Sequence, residues 1–158
     1  MKNIGKILHT YSAQKGQSGL PRPLVEKLTI LKGYGIQDDK FAGYDLDKSV
    51  MIVGLAAYEI ARQHDIHLIW GSMGENITFD FNPHDYPIGS IFKINSVVLQ
   101  VTQKCTICKH LAIFNASLPF LVRDVRGLYC KVLEGGIIHR NHKVERVIEY
   151  KVNKKIAS

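Results

Sequence analysis

Cys108 stands in the segment Val101-Thr-Gln-Lys-Cys-Thr-Ile-Cys-Lys-His-Leu111, with Lys104, Lys109 and His110 close by in sequence. Positive charge beside a thiol favours the thiolate, which is the form that attacks electrophiles and ligates soft metals. The chemistry open to such a residue is nucleophilic or metal-binding, and a space-filling role is the competing reading, because cysteine is among the most buried residue types. Taken alone, Cys105-x-x-Cys108 does not specify a metal. A structural zinc site wants a second pair at matching spacing, and Cys130, His110 or His139 would have to be recruited from scattered places. A thioredoxin-like motif wants a βαβ setting that the neighbouring strands do not offer. His64 and His67 lack a nearby cysteine or carboxylate to complete a metal site.

The elements around Cys108 read mainly as strands. The apolar alternation of Ser96–Thr102 predicts a strand that delivers the cysteine segment at its end, paired as a hairpin with Ser90–Ile94 through a tight turn at Asn95. Further strands are expected at Lys2–Tyr11, Leu24–Lys32, Ser49–Val53, Ile77–Phe81, Gly127–Leu133, Ile137–Ile138 and Lys143–Val152, with Cys130 a core residue of its strand. The best helix is Leu55–His64, where Leu55, Tyr58, Ile60 and Ala61 fall roughly on one face. In residues 109–123, Leu111, Phe114, Leu118 and Leu121 or Val122 line a candidate helix that Pro119 interrupts. Many short strands with one or two helices predict a barrel or closed sheet rather than a doubly wound fold.

The chain has 158 residues, 46% apolar and 22% charged, which is an ordinary globular composition for one domain over residues 1–158. No apolar stretch approaches the ~20 residues that a membrane span needs, and the first ten residues lack a signal-peptide core, so a cytoplasmic location is expected. Three cysteines in that setting are reduced thiols rather than a disulfide framework. The net charge of +7 favours anionic partners, although part of it lies in Lys143–Lys155, where a solvated tail accounts for it; residues 153–158 are expected to fray. A nucleic-acid surface would want aromatic residues interleaved with that charge, and they are missing.

The order of several short motifs adds a family resemblance. Gly35-Ile-Gln-Asp-Asp-Lys40 is followed by Lys48-Ser-Val-Met-Ile52 and its helix, Gly74-Glu-Asn-Ile77, Pro87-Ile-Gly-Ser90, the Val101 to Cys108 segment, Arg126-Gly-Leu-Tyr129 and Gly135-Gly136. In order and spacing the chain resembles the MOSC domain, the family named for the C-terminal domain of molybdenum cofactor sulfurases, over roughly residues 20–147. The resemblance implies a mixed, closed β-barrel, mainly β with a few helices. By position it implies that Cys108 is the working cysteine, either a molybdenum ligand in the pterin cofactor or a carrier of persulfide sulfur. Lys40, Lys48, Lys104 and Arg126 match motif positions where cations would neutralise the cofactor's phosphate, with Arg126 able to bind it bidentately. Glu75 and Asn76 match a loop near the pocket, and Asn76 has donors and acceptors for a pterin edge.

The chain also departs from the family pattern. Many stand-alone members have glycine at Asp38, histidine at Phe41, arginine at Lys48, an Arg-x-Pro-Cys stretch at Cys105–Cys108 and a Gly-Asp turn at Asn141-His142. Fewer fixed cations near the cysteine weaken anion binding, and Cys105 becomes a candidate resolving thiol.

Two functions from different classes follow. One is a molybdenum-cofactor-binding protein supporting oxidoreduction, with N-hydroxylated compounds as the candidate substrate class. The chain has no Rossmann fingerprint or iron–sulfur cysteine set, so an electron-donor protein must supply the electrons. The other is a sulfur carrier that receives a persulfide from a cysteine desulfurase and passes it to the molybdenum cofactor, with pyridoxal phosphate on that partner rather than on this chain.

Overall fold

The computed structural model describes residues 2–106 and 109–150. Its strands are β1 (Lys2–Tyr11), β2 (Leu24–Val25), β3 (Lys27–Leu31), β4 (Gly35–Ile36), β5 (Val50–Gly54), β6 (Ile77–Phe79), β7 (Ile91–Ile94), β8 (Val97–Lys104), β9 (Leu128–Glu134), β10 (Gly136–His139) and β11 (Lys143–Val147). Two α-helices are present among the described residues, α1 (Leu55–Gln63) and α2 (Leu118–Leu121), and 3-10 turns cover Leu46–Lys48, Pro83–Asp85 and Lys109–Ile113.

Seven strands close on themselves in the order β11-β7-β8-β9-β5-β6-β1, with β1 pairing back onto β11 and β2 appended to β1. Closure removes the open edges that would otherwise template aggregation. The pairs are antiparallel except β5 with β6, which run parallel. A parallel pair cannot be joined by a tight turn and needs a crossover. Here α1 and the segment 64–76 supply it, and the last residues of that return leg form a wall of the candidate site. A smaller sheet, β10-β3-β4, buries Leu28, Ile30, Ile36 and Ile138 against the barrel interior.

Strand alternation divides the interior into two cores. Val50 and Ile52 of β5 face the barrel interior with Phe79, Phe92, Leu99, Leu128, Cys130 and Val132. Met51 and Val53 of the same strand face outward, into a layer formed with Ala57, Tyr58 and Ala61 of α1, Leu111, Leu118 and Val122. Because β5 is covered on both sides, all five of its residues are buried and it reads as a continuous apolar run.

The turns follow local chemistry. The β7–β8 hairpin turns at Asn95, whose φ is +55°, and the turn before β11 uses Asn141 at φ +74°. Asparagine tolerates this left-handed region better than most residues. Asp38 has the same geometry, φ +66°, a backbone conformation that suits glycine. The region after Cys108 differs from the expected interrupted helix: Pro119 lies in the first turn of α2, where a missing N–H costs nothing, so it starts a helix instead of breaking one. The last strand ends at Val147, short of the expected Val152.

Candidate functional site

A cavity of about 550 Å3 lies on the helical-layer side of the barrel. Leu20 and Arg22 come from the loop between β1 and β2, and Lys40, Phe41 and Lys48 from the segment before β5. Met51 belongs to β5, Met73, Gly74 and Asn76 to the crossover return, His110 and Ile113 to the turn after β8, and Arg126 and Tyr129 to the entry into β9. The apolar members suit the faces of a flat ring system, and every charged side chain lining the cavity is cationic.

The return leg is bolted in place by Asn76. Its backbone N–H donates to Met51 O at 2.8 Å and its carbonyl accepts from Tyr11 N at 2.8 Å. Its side chain accepts from Met51 N at 3.0 Å and donates to Tyr11 O at 3.2 Å, so the amide bridges β1 and β5 just before β6 begins to pair with both. Asn76 lines the cavity, but most of its hydrogen-bonding capacity is spent on the fold.

Glu75 points away from the cavity. It is 0% exposed, and its Oε2 accepts from the Tyr58 hydroxyl at 2.6 Å and the Thr78 hydroxyl at 2.7 Å, while Oε1 has no hydrogen-bond partner. Tyr58 in turn accepts from Gly71 N at 3.0 Å, which ties α1 to the return leg. Burial pushes the Glu75 carboxyl above the ordinary carboxylate range, with the two hydroxyls and the Arg126 charge opposing the shift. The same burial and the nearby Glu75 charge raise Tyr58.

Arg126 is only 4% exposed. Its Nη1 donates to Met73 O at 2.6 Å and its Nε has no hydrogen-bond partner. A buried donor left without a partner costs about 1–3 kcal/mol, more when charged, so such groups call for a ligand or water. Gly127, next in the chain, has φ +132° and donates its N–H to His84 Nε2 at 3.0 Å. The ring nitrogen must be unprotonated to accept, in keeping with a His84 pKa lowered first by burial and then by Lys104.

Of the residues expected from sequence, Lys40, Lys48, Asn76 and Arg126 line one cavity. Lys40 Nζ donates to Gln17 O at 2.8 Å, and Lys48 lies 5.5 Å from the Tyr129 ring centroid. Lys104, exposed at the end of β8, does not line the cavity; its charge bears on His84. Cys108 lies outside the described residues. Cys105 is buried, and its thiol donates to the Tyr129 hydroxyl at 3.5 Å. Cys130 is fully buried in the barrel core, as expected, and burial raises its thiol pKa. Helix α1 ends at Gln63, before both His64 and His67, and no cluster of three metal-ligating side chains occurs among the described residues.

Arg22 was not anticipated. It belongs to no periodic element, and the available signal was a cation held between Pro21 and Pro23 in an otherwise polar loop. Its side chain is 10% exposed, forms an ion pair with Asp39 at 3.6 Å and sits 4.7 Å from the Phe41 ring centroid. Burial lowers its pKa, and Asp39 and Glu75 oppose that shift.

Fold and cavity together define a mixed β-barrel with a cationic pocket in its helical flank. The chain belongs to the MOSC domain family, whose model matches residues 38–145. Three solved structures resemble it. The YuaD protein from Bacillus subtilis has a TM-score of 0.71 and 17% identity, over 90% of this chain and 96% of that one. YiiM from Escherichia coli has a TM-score of 0.69 and 17% identity over 94% and 72%, and YiiM from Geobacillus stearothermophilus 0.66 and 18% over 92% and 74%. At these identities the likeness is one of fold. No curated protein matches the chain. The MOSC family is associated with the molybdenum cofactor. No helix of the described residues is long and apolar enough to cross a membrane.

Proposed function

We propose that this chain binds the molybdenum cofactor in the cavity and supports oxidoreduction, with N-hydroxylated compounds as the candidate substrate class. The observation that carries the reading is the cavity itself: about 550 Å3, with Arg22, Lys40, Lys48 and Arg126 as its charged lining and a buried Arg126 N–H that lacks a partner. That volume falls within the roughly 300–1,000 Å3 of small-molecule sites. The donor set fits a pterin phosphate: cations for the phosphate and apolar faces from Leu20, Phe41, Met51 and Met73 for the ring.

When bound, the cofactor would supply a redox-active metal with an affinity for thiolate. In this reading Cys108 is the thiolate ligand, the guanidinium and ammonium groups hold the phosphate, and the apolar lining keeps water from the ring. Electrons come from a partner protein.

The test is the molybdenum and pterin content of protein purified without oxygen from a host that makes the cofactor, compared with Cys108→Ala. About one molybdenum per chain, lost in the variant, is expected. No metal in either protein overturns the reading. A persulfide adduct on Cys108 after incubation with a cysteine desulfurase, seen by intact mass, would then assign the chain to sulfur transfer.

A further inference from the structure

We infer that His84 is a positioning residue for the cavity: through Gly127 it holds in place both the segment that carries Arg126 and the segment that begins at Cys105. The inference rests on the cofactor reading for what occupies the cavity, and on contacts alone for how its wall is held.

His84 stands outside the cavity, in the 3-10 turn Pro83–Asp85. The turn closes without the ring. The Asn82 side chain caps it by accepting from His84 N at 3.0 Å, and Tyr86 N donates to Pro83 O at 3.2 Å. It is also wedged behind β5, because a side chain at Gly54 would lie 2.9 Å from both Asn82 Cα and Pro83 Cδ. The imidazole is thus mounted on a fixed base, and its Nε2 is left for another part of the chain.

That part is Gly127. The β5–β9 ladder stops at Ile52 with Leu128, so no strand of β5 takes the next N–H, and the ring nitrogen takes it at 3.0 Å. On the other side the Gly127 carbonyl accepts from Cys105 N at 2.9 Å, just past the Lys104–Leu128 pair of the β8–β9 ladder. With no side chain to restrain it, the glycine depends on these two bonds for its orientation. Its N–H shares a peptide plane with the Arg126 carbonyl, so the bond to His84 also fixes the turn from which the Arg126 side chain reaches Met73 O. One glycine joins a cavity cation to the start of the cysteine segment, and His84 sets how it stands.

The hold depends on the charge of the ring. Only an unprotonated Nε2 accepts; a protonated one presents a donor to a donor. Burial first, then Lys104, lower the His84 pKa, while Asp85 and Asp124 oppose them; β5, packed behind the turn, has no titratable residue. The neutral ring is therefore the native form above the ordinary value of 6.5, and the hold is lost as pH falls through the native value.

Amide hydrogen exchange of the full chain, followed by NMR from pH 5 to pH 8 as protection factors, tests this together with the pterin retained after dialysis. His84→Ala is expected to lower the protection of Gly127 and Cys105 together by about tenfold or more. Ile7 and Val101, whose N–H groups donate to His142 O and Ser90 O in the barrel, should change less than about twofold. The parent chain should show the same paired loss at the acid end of its own series, which needs no variant to fold. His84→Gln supplies an acceptor that does not titrate, and is expected to keep both amides protected at every pH and to restore the pterin that His84→Ala loses. Loss at Gly127 without Cys105, an equal loss at Ile7 and Val101, or an acid profile in His84→Gln matching that of the parent overturns the inference. Pterin held equally by the parent and His84→Ala overturns it too and leaves the cofactor reading standing. A parent without pterin removes the cofactor reading instead, and the paired amide loss then upholds the role of His84.

Discussion

Glu75 and His84 make the native state sensitive to pH in opposite directions. Because burial raises Glu75, the folded chain holds that proton more tightly than the unfolded chain does. Its contribution is fully present below the ordinary carboxyl range and declines as pH rises through the raised native value. Glu75→Gln is expected to lose this decline, so the urea midpoint of the parent should fall more between pH 5 and pH 8 than that of the variant. Glu75→Ala leaves the Tyr58 and Thr78 hydroxyls without their acceptor and is expected to cost about 2 kcal/mol by the same measurement. His84 behaves inversely. Its lowered pKa favours the neutral ring, so its contribution is present above the ordinary value of 6.5 and is lost as pH falls through the native value, when a proton on Nε2 displaces the Gly127 N–H. His84→Gln is expected to flatten the acid side of the same profile.

Among the elements, two short connections decide how the cavity wall stands. Gly127 sets Arg126 at the entry to β9. A Cβ there would lie 2.6 Å from Met51 Cε and 3.1 Å from Ile52 O, at a φ of +132° that other residues rarely adopt. Gly127→Ala is expected to cost about 3 kcal/mol, combining overpacking and backbone strain, and to lower the pterin content of the purified protein because Arg126 moves with it; thermal melts and pterin analysis check both. Asp38 offers the reverse case. It occupies φ +66°, so Asp38→Gly relieves left-handed strain and is expected to raise stability by about 0.5–1 kcal/mol in a urea melt.

At the scale of the whole molecule, the barrel depends on joining its first and last strands. Lys2 to Lys6 of β1 pair with Lys143 to Arg146 of β11, and Val144 to Val147 of β11 also pair with β7. A chain ending at His142 would expose two strand edges and open the core containing Phe92, Ile94 and Val144. It is expected to lose its cooperative calorimetric transition. Hydrogen exchange in the parent should show β1 and β11 opening together with β8 and β9, as parts of one closed unit.

Much of this was legible in the sequence, because it rests on local rules. The period-two alternation in Leu128–Leu133 already sends Leu128, Cys130 and Val132 to one face, and asparagine at 95 and 141 marks turns wherever the strands go. The family motifs likewise carry the barrel and seven of the cavity's lining residues, Lys40, Lys48, Met51, Gly74, Asn76, Arg126 and Tyr129. Other features are nonlocal, and no window of sequence contains them. Pro119 is the same residue whether it breaks a helix or begins one; the packing of Leu118 and Val122 against α1 and its neighbours decides which. Glu75 and Asn76 are adjacent in one motif, yet the crossover turns one carboxyl into the interior and leaves the next amide on the cavity. Arg22 and Arg126 come from loops far apart in the chain and line one cavity only because the crossover leg that the parallel β5–β6 pair requires is held by both. The sequence by itself determined most of the strands, the turns at Asn95 and Asn141 and the family; the tertiary structure split the expected Leu24–Lys32 strand into β2 and β3 and decided which cations share a cavity, because closing a barrel sets distances that sequence spacing does not contain.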